Sequence, residues 1–162
     1  MPLQIAFKVK SRLDRSPYIA AFLFCLGILL LRGFGRLVNA QLWAEDGHVY
    51  VQQALALSWR SLLLPFAGYY HTLQRLVAVP VTQYFPIAQT PRLICLFCYL
   101  LYAAVVAMFA RNDYAWLVPS RAARMSLCVL LCFAPGLREI AGNLCNLYPV
   151  LFLWLGLIGM KD

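Results

Sequence analysis

Four runs of this chain, residues 18–31, 93–110, 125–134 and 147–160, contain no charged side chain. With their flanks, most approach the roughly 20 residues with which a helix spans a bilayer. They lack the period-two alternation of barrel strands, so helices are the structures that would satisfy every backbone group in hydrocarbon. The balance of 63% hydrophobic against 12% charged residues also lies outside that of an ordinary soluble domain. The expected fold class is all-α: a polytopic helical membrane protein with about four transmembrane helices.

The first run continues past Gly27 into Leu30 and Leu31 without a small-residue cleavage pattern, which predicts an uncleaved signal-anchor. The net charge of +8 raises the question of nucleic acid, but the basic residues sit at the ends of apolar runs and form no patch with polar or aromatic readers. They read as topology signals, and no nucleic-acid partner is expected. Cys25, Cys95, Cys98, Cys128 and Cys132 lie inside apolar runs with no histidine or acid beside them, so they are expected to pack as small apolar residues; Cys145 lies in a polar loop.

Lys8, Lys10, Arg12 and Arg15 make residues 1–16 a basic tail expected in the cytoplasm, with Ser16-Pro17 opening the first helix. The rest, residues 17–162, is expected to form one transmembrane domain. Its first span ends near Val38, where Arg32 and Arg36 can reach the headgroups. An outer loop then covers residues 39–90. Residues 46–63 have a helical pattern with Val51, Leu55, Trp59 and Leu62 on one stripe, as expected of an interfacial helix. Pro65 and Gly68 end it in an aromatic turn running to His71. Residues 72–88 carry Gln74, Arg75, Pro80 and Pro86, and an interfacial or re-entrant course for them leaves Arg111, Arg121 and Arg124 in the cytoplasm. Next come spans over 93–110, 125–137 and 147–160, the last ending at Lys161. The loop 136–146 then lies on the same outer side as Glu45 and Asp46, where the two polar clusters could meet.

That acidic pair, in Trp43-Ala44-Glu45-Asp46-Gly47-His48, is a concentration of chemistry in a chain with six acidic against fourteen basic residues. A carboxylate at the mouth of a bundle can act as general base toward a hydroxyl. The pair could also hold a divalent cation such as Mg²⁺. The plainer role is capping of the next helix. Arg75 and Arg138 offer guanidinium forks for phosphate oxygens, or interfacial anchors. His48 and His71 form a weak metal pattern, and Tyr69 and Tyr70 could line a sugar or anchor at the interface.

Taken together, Trp43–Gly47, the turn Pro65-Phe66-Ala67-Gly68-Tyr69-Tyr70-His71 with Arg75, and Glu139-Ile140-Ala141-Gly142-Asn143-Leu144-Cys145-Asn146 resemble the N-terminal portion of polytopic bacterial glycosyltransferases of the GT-C class. The resemblance implies transfer of a sugar from a polyprenyl-phosphate carrier on the outer face of the bacterial inner membrane. An acidic residue of the first outer loop would activate the acceptor, a role that falls to Asp46 with Glu45 as neighbour or substitute. Substrate contacts would fall to Arg75, Arg138, His71, Tyr70 and Asn143. Members of the class have many more spans, so the chain is expected to match the front of such an enzyme. The alternative is a non-catalytic small membrane protein, a remnant or a subunit packed on a larger membrane-protein partner.

Overall fold

In a computed structural model the described residues are 2–160, with side chains from Ser16 onward. The side chains of the basic tail, and the expected end of the last span at Lys161, lie outside them. The secondary structure is predominantly helical, as the apolar periodicity requires. Its α-helices are α1 (Pro2–Arg32), α2 (Phe34–Val38), α3 (Gln52–Leu57), α4 (Thr72–Tyr84), α5 (Thr90–Ala107), α6 (Arg121–Cys132), α7 (Leu137–Ile140) and α8 (Tyr148–Gly159). The helix expected to open at Ser16-Pro17 begins at Pro2 and carries Pro17 inside it. A proline removes one backbone donor and can kink a helix without ending it.

One helical segment among the described residues, Ile87–Ala110, is long and apolar enough to cross a membrane; Ser16–Arg32 and Cys145–Gly159 are shorter apolar helices. The chain divides into two compact units. The first comprises residues 1–32, 100–137 and 149–162, and the second residues 33–99 and 138–148.

In the first unit α1 packs on α6. Cys25, Cys128 and Cys132 are buried there as free thiols, and the Cys128 thiol donates to the Val106 carbonyl at 3.3 Å. Tyr102 Oη donates to Leu131 O at 2.9 Å, and Tyr114 Oη to Leu157 O at 2.8 Å. Ser120 caps α6, accepting from Ala123 N–H at 3.3 Å. Arg32 donates to the Cys132 carbonyl and lies over the Phe133 ring. Carbonyls at a helix C-terminus lack intrahelical partners, and a nearby guanidinium satisfies them.

The second unit repeats that device. Arg36 donates to Ala141 O at 2.9 Å just beyond α7, and Arg92 to Leu37 O at 2.9 Å near the end of α2. The expected continuous helix over 46–63 is a composite: a π-helical turn Asp46–Val51, then α3, then a 3-10 segment Ser58–Leu63. A π turn holds more residues per turn than an α turn, so it rotates the side chains of the next turns about the helix axis. The expected stripe is broken as well at Ser58, whose φ of 50° ends α3 before Trp59. Val51 is buried with Val49, Tyr50 and Ala54, while Leu55 and Trp59 are exposed.

The aromatic turn is a hairpin of β1 (Pro65–Phe66) and β2 (Tyr69–Tyr70), paired antiparallel with Pro65 opposite Tyr70 and Phe66 opposite Tyr69. Its two loop residues, Ala67 at φ 51° and Gly68 at φ 89°, occupy left-handed backbone space. Hairpins with two such residues favour Asn-Gly, because asparagine tolerates this region and alanine does not. Ala67→Asn, at an exposed position, is expected to stabilise the fold by about 0.5–1 kcal/mol and raise Tm by about 2 °C. Ala67→Val should lower it. Thermal unfolding of the two variants checks both directions.

Candidate functional site

The second unit collects three stretches distant in sequence around the start of the π turn. Asp46 is 1% exposed, and its carboxylate accepts two backbone hydrogen bonds, Leu144 N–H to Oδ2 and Cys145 N–H to Oδ1, each at 2.8 Å. These donors belong to the loop and 3-10 turn that lead into α8. Asp46 thus meets free N–H groups about a hundred residues on, not those of its own helix as the capping expectation had it. The reason is geometric: the loop after α7 brings a second helix start within reach.

Burial pushes the Asp46 carboxyl up to about 6, against the pull of the two N–H donors and with the added push of the Glu45 charge. Glu45 is half-buried, and its Oε2 is enclosed without a hydrogen-bond partner. Two adjacent carboxylates of unlike surroundings, one clamped and one not, form a unit that can accept and pass on a proton.

One turn beyond Asp46, Tyr50 is fully buried and places its hydroxyl 2.6 Å from His71 Nδ1; Tyr148 Oη approaches the same nitrogen at 2.8 Å. His71 is 4% exposed, and Tyr69 stacks on its ring at a centroid separation of 5.3 Å. Burial and the Arg75 charge lower the proton affinity of His71 and favour a neutral ring. Burial raises that of Tyr50.

Arg75, on the first turns of α4, is fully buried. Its Nη2 donates to Gln53 Oε1 at 2.7 Å, and its guanidinium lies 5.6 Å from the Tyr50 ring centre. Nε and Nη1 have no hydrogen-bond partner, and neither has Nε2 of the neighbouring Gln74. No carboxylate pairs with Arg75 among the described residues. A buried cation without a counter-ion and with idle N–H groups costs several kcal/mol, and an oxyanion is one species that would relieve it.

The expected site residues therefore divide. Glu45, Asp46, His71, Arg75 and Asn143 fall in this unit at buried or half-buried positions, whereas Tyr70 and Arg138 are exposed. Tyr50, Gln53, Gln74 and Tyr148 were not singled out as site residues from the sequence. Gln74 beside Arg75 in an apolar stretch was a usable signal; the tyrosines, in a chain with nine, carried none. No cluster of three or more metal-ligating side chains occurs among the described residues. Glu45 and Asp46 offer hard oxygen ligands of the type Mg²⁺ takes; each Asp46 oxygen accepts one backbone N–H and keeps a second lone pair. Comparison with protein-family models, with curated proteins and with solved structures finds no match to this chain.

Proposed function

We propose that this chain is a membrane glycosyltransferase, or the front part of one, which transfers a sugar from a polyprenyl-phosphate donor on the extracytoplasmic face. The observation that carries the reading is the grasp of Asp46 on Leu144 and Cys145, with Tyr50 of the next turn on His71, so that the segments on which the GT-C resemblance rests, 43–47, 65–75 and 139–146, fall in one compact unit. In this reading Asp46 accepts the proton of the acceptor hydroxyl, with Glu45 beside it, while the hydroxyl oxygen attacks the sugar carbon and the polyprenyl phosphate leaves. Arg75 and Gln74 supply the unpaired donors that a leaving phosphate needs. A polytopic membrane setting is supported by large apolar side chains on the outer faces of the helices, among them Leu23 and Phe24 on α1, Leu130 on α6, and Phe152 and Leu155 on α8.

The test is transfer from synthetic polyprenyl-phosphate sugars in membranes containing the protein, measured across pH. Asp46 must be ionised to accept a proton, so the rate should rise with pH through about 6 and level off above it. Stability runs the other way. The folded value near 6 exceeds the ordinary 3.8, so the folded state holds its proton more tightly, and stability falls as pH climbs between these values. Absence of transfer from every donor offered, or a rate flat across this window, would overturn the proposal.

A further inference from the structure

A cavity of about 200 Å³ in the second unit is lined by residues adjacent in the chain to the acidic pair and to the loop that holds it, and by neither the pair itself nor Arg75. Trp43 and Asn143 line it, the first two residues before Glu45 and the second immediately before Leu144, whose N–H holds Asp46. Pockets for drug-sized ligands measure about 300–1,000 Å³, so this smaller space suits a single small ring. Its polar wall comes from the side chains of Asn39, Gln41, Asn143 and Arg36. Amides pair equally well with the donor and acceptor faces of hydroxyl groups. Asn143 is 4% exposed and spends its amide N–H on Glu139 O at 2.8 Å, which leaves its carbonyl oxygen for a ligand hydroxyl. Trp43, 43% exposed, offers an indole face against which a sugar ring can lie.

The charge in this wall is selective. One N–H of Arg36 is used on Ala141 O at 2.9 Å, and no carboxylate pairs with the guanidinium among the described residues. Gly142 makes room for it: at φ +98° a Cβ would meet Arg36 Nη1 at 3.3 Å and Cys95 Sγ at 3.2 Å, so any larger residue would press on the cation.

We infer that this cavity is the acceptor subsite and that it takes one sugar residue carrying an anionic substituent, a carboxylate or a phosphate. The inference rests on the transfer reading for the word acceptor, but the site itself can be tested without a donor. The protein, purified in detergent, is titrated with methyl β-glucuronide, glucose 6-phosphate and methyl β-glucoside while tryptophan fluorescence is recorded. At least one anionic sugar should bind saturably and at least tenfold more tightly than the neutral glucoside. Trp43→Phe should remove the signal. Arg36→Gln should erase the preference for charge, and Gln41→Ala, at an exposed position, should weaken all binding several-fold without touching the fold.

No saturable binding by any of the three sugars, or equal affinity for charged and neutral ones in the unaltered protein, overturns the inference. Binding with these properties in a protein that transfers no sugar would remove the transfer reading and leave an acidic-saccharide site. Transfer without such binding would do the reverse.

Discussion

Asp46→Asn is expected to lower sugar transfer, per folded molecule, by about 10²–10⁴-fold, the usual contribution of a positioned general base. The substitution has a second effect because of what Asp46 holds. Its two oxygens accept the N–H groups of Leu144 and Cys145. In asparagine one oxygen becomes an NH₂ group facing a donor, and a buried donor left unsatisfied costs about 1–3 kcal/mol. The variant should therefore be less stable as well as slower, so rates must be normalised to protein that remains folded. Glu45→Gln leaves both backbone bonds in place and separates the two effects. It should cost about tenfold in rate with little loss of stability, since it removes a neighbouring charge but not the clamped base. If Asp46→Asn transferred sugar at the unaltered rate once corrected for folding, Asp46 would be a structural clamp only.

Arg75→Met is expected to change stability and activity in opposite directions. Methionine fills a similar volume without charge, and replacing a buried unpaired ion by a packed apolar side chain is commonly neutral or stabilising by about 1–4 kcal/mol. The interactions lost are a hydrogen bond to Gln53, which is only half-buried, and the cation–ring contact with Tyr50. Thermal unfolding should thus shift upward. Transfer should fall by about 10- to 100-fold, corresponding to the loss of charged hydrogen bonds to the leaving phosphate. A variant that unfolds readily would show that Arg75 already has its full set of partners and is no oxyanion site. A stabilised variant with undiminished transfer would place the phosphate elsewhere.

Much of the site was legible as a set of residues and little of it as an arrangement. The scarcity of acids marks out Glu45 and Asp46, and the expected order of spans and loops brings 136–146 to their side, where the backbone of Leu144 and Cys145 meets Asp46. Arg138 shares with Arg75 a guanidinium flanked by apolar residues, and Tyr70 adjoins His71 in the aromatic turn. Arg138 and Tyr70 lie exposed, and residue type does not reveal which side of a turn faces the core. His71 comes directly after the β2 residues Tyr69 and Tyr70, is buried and has two tyrosine hydroxyls within 2.8 Å of its Nδ1; Tyr70, one residue earlier, is 64% exposed.

By itself the sequence determined the helical class, the apolar stretches that became α5 and α8, and the turn at Ala67-Gly68. Each arises from hydrophobic runs, side-chain periodicity and backbone preferences acting over a few residues. Tertiary structure alone decided that Asp46 clamps the approach to α8 instead of its own helix, that the π turn swings Tyr50 toward His71 and Arg75, and that Arg36 turns onto Ala141. These outcomes depend on partners far apart in the chain. The free N–H and C=O groups at helix ends must be satisfied by whatever packing brings within about 3 Å, and no local pattern encodes that neighbour.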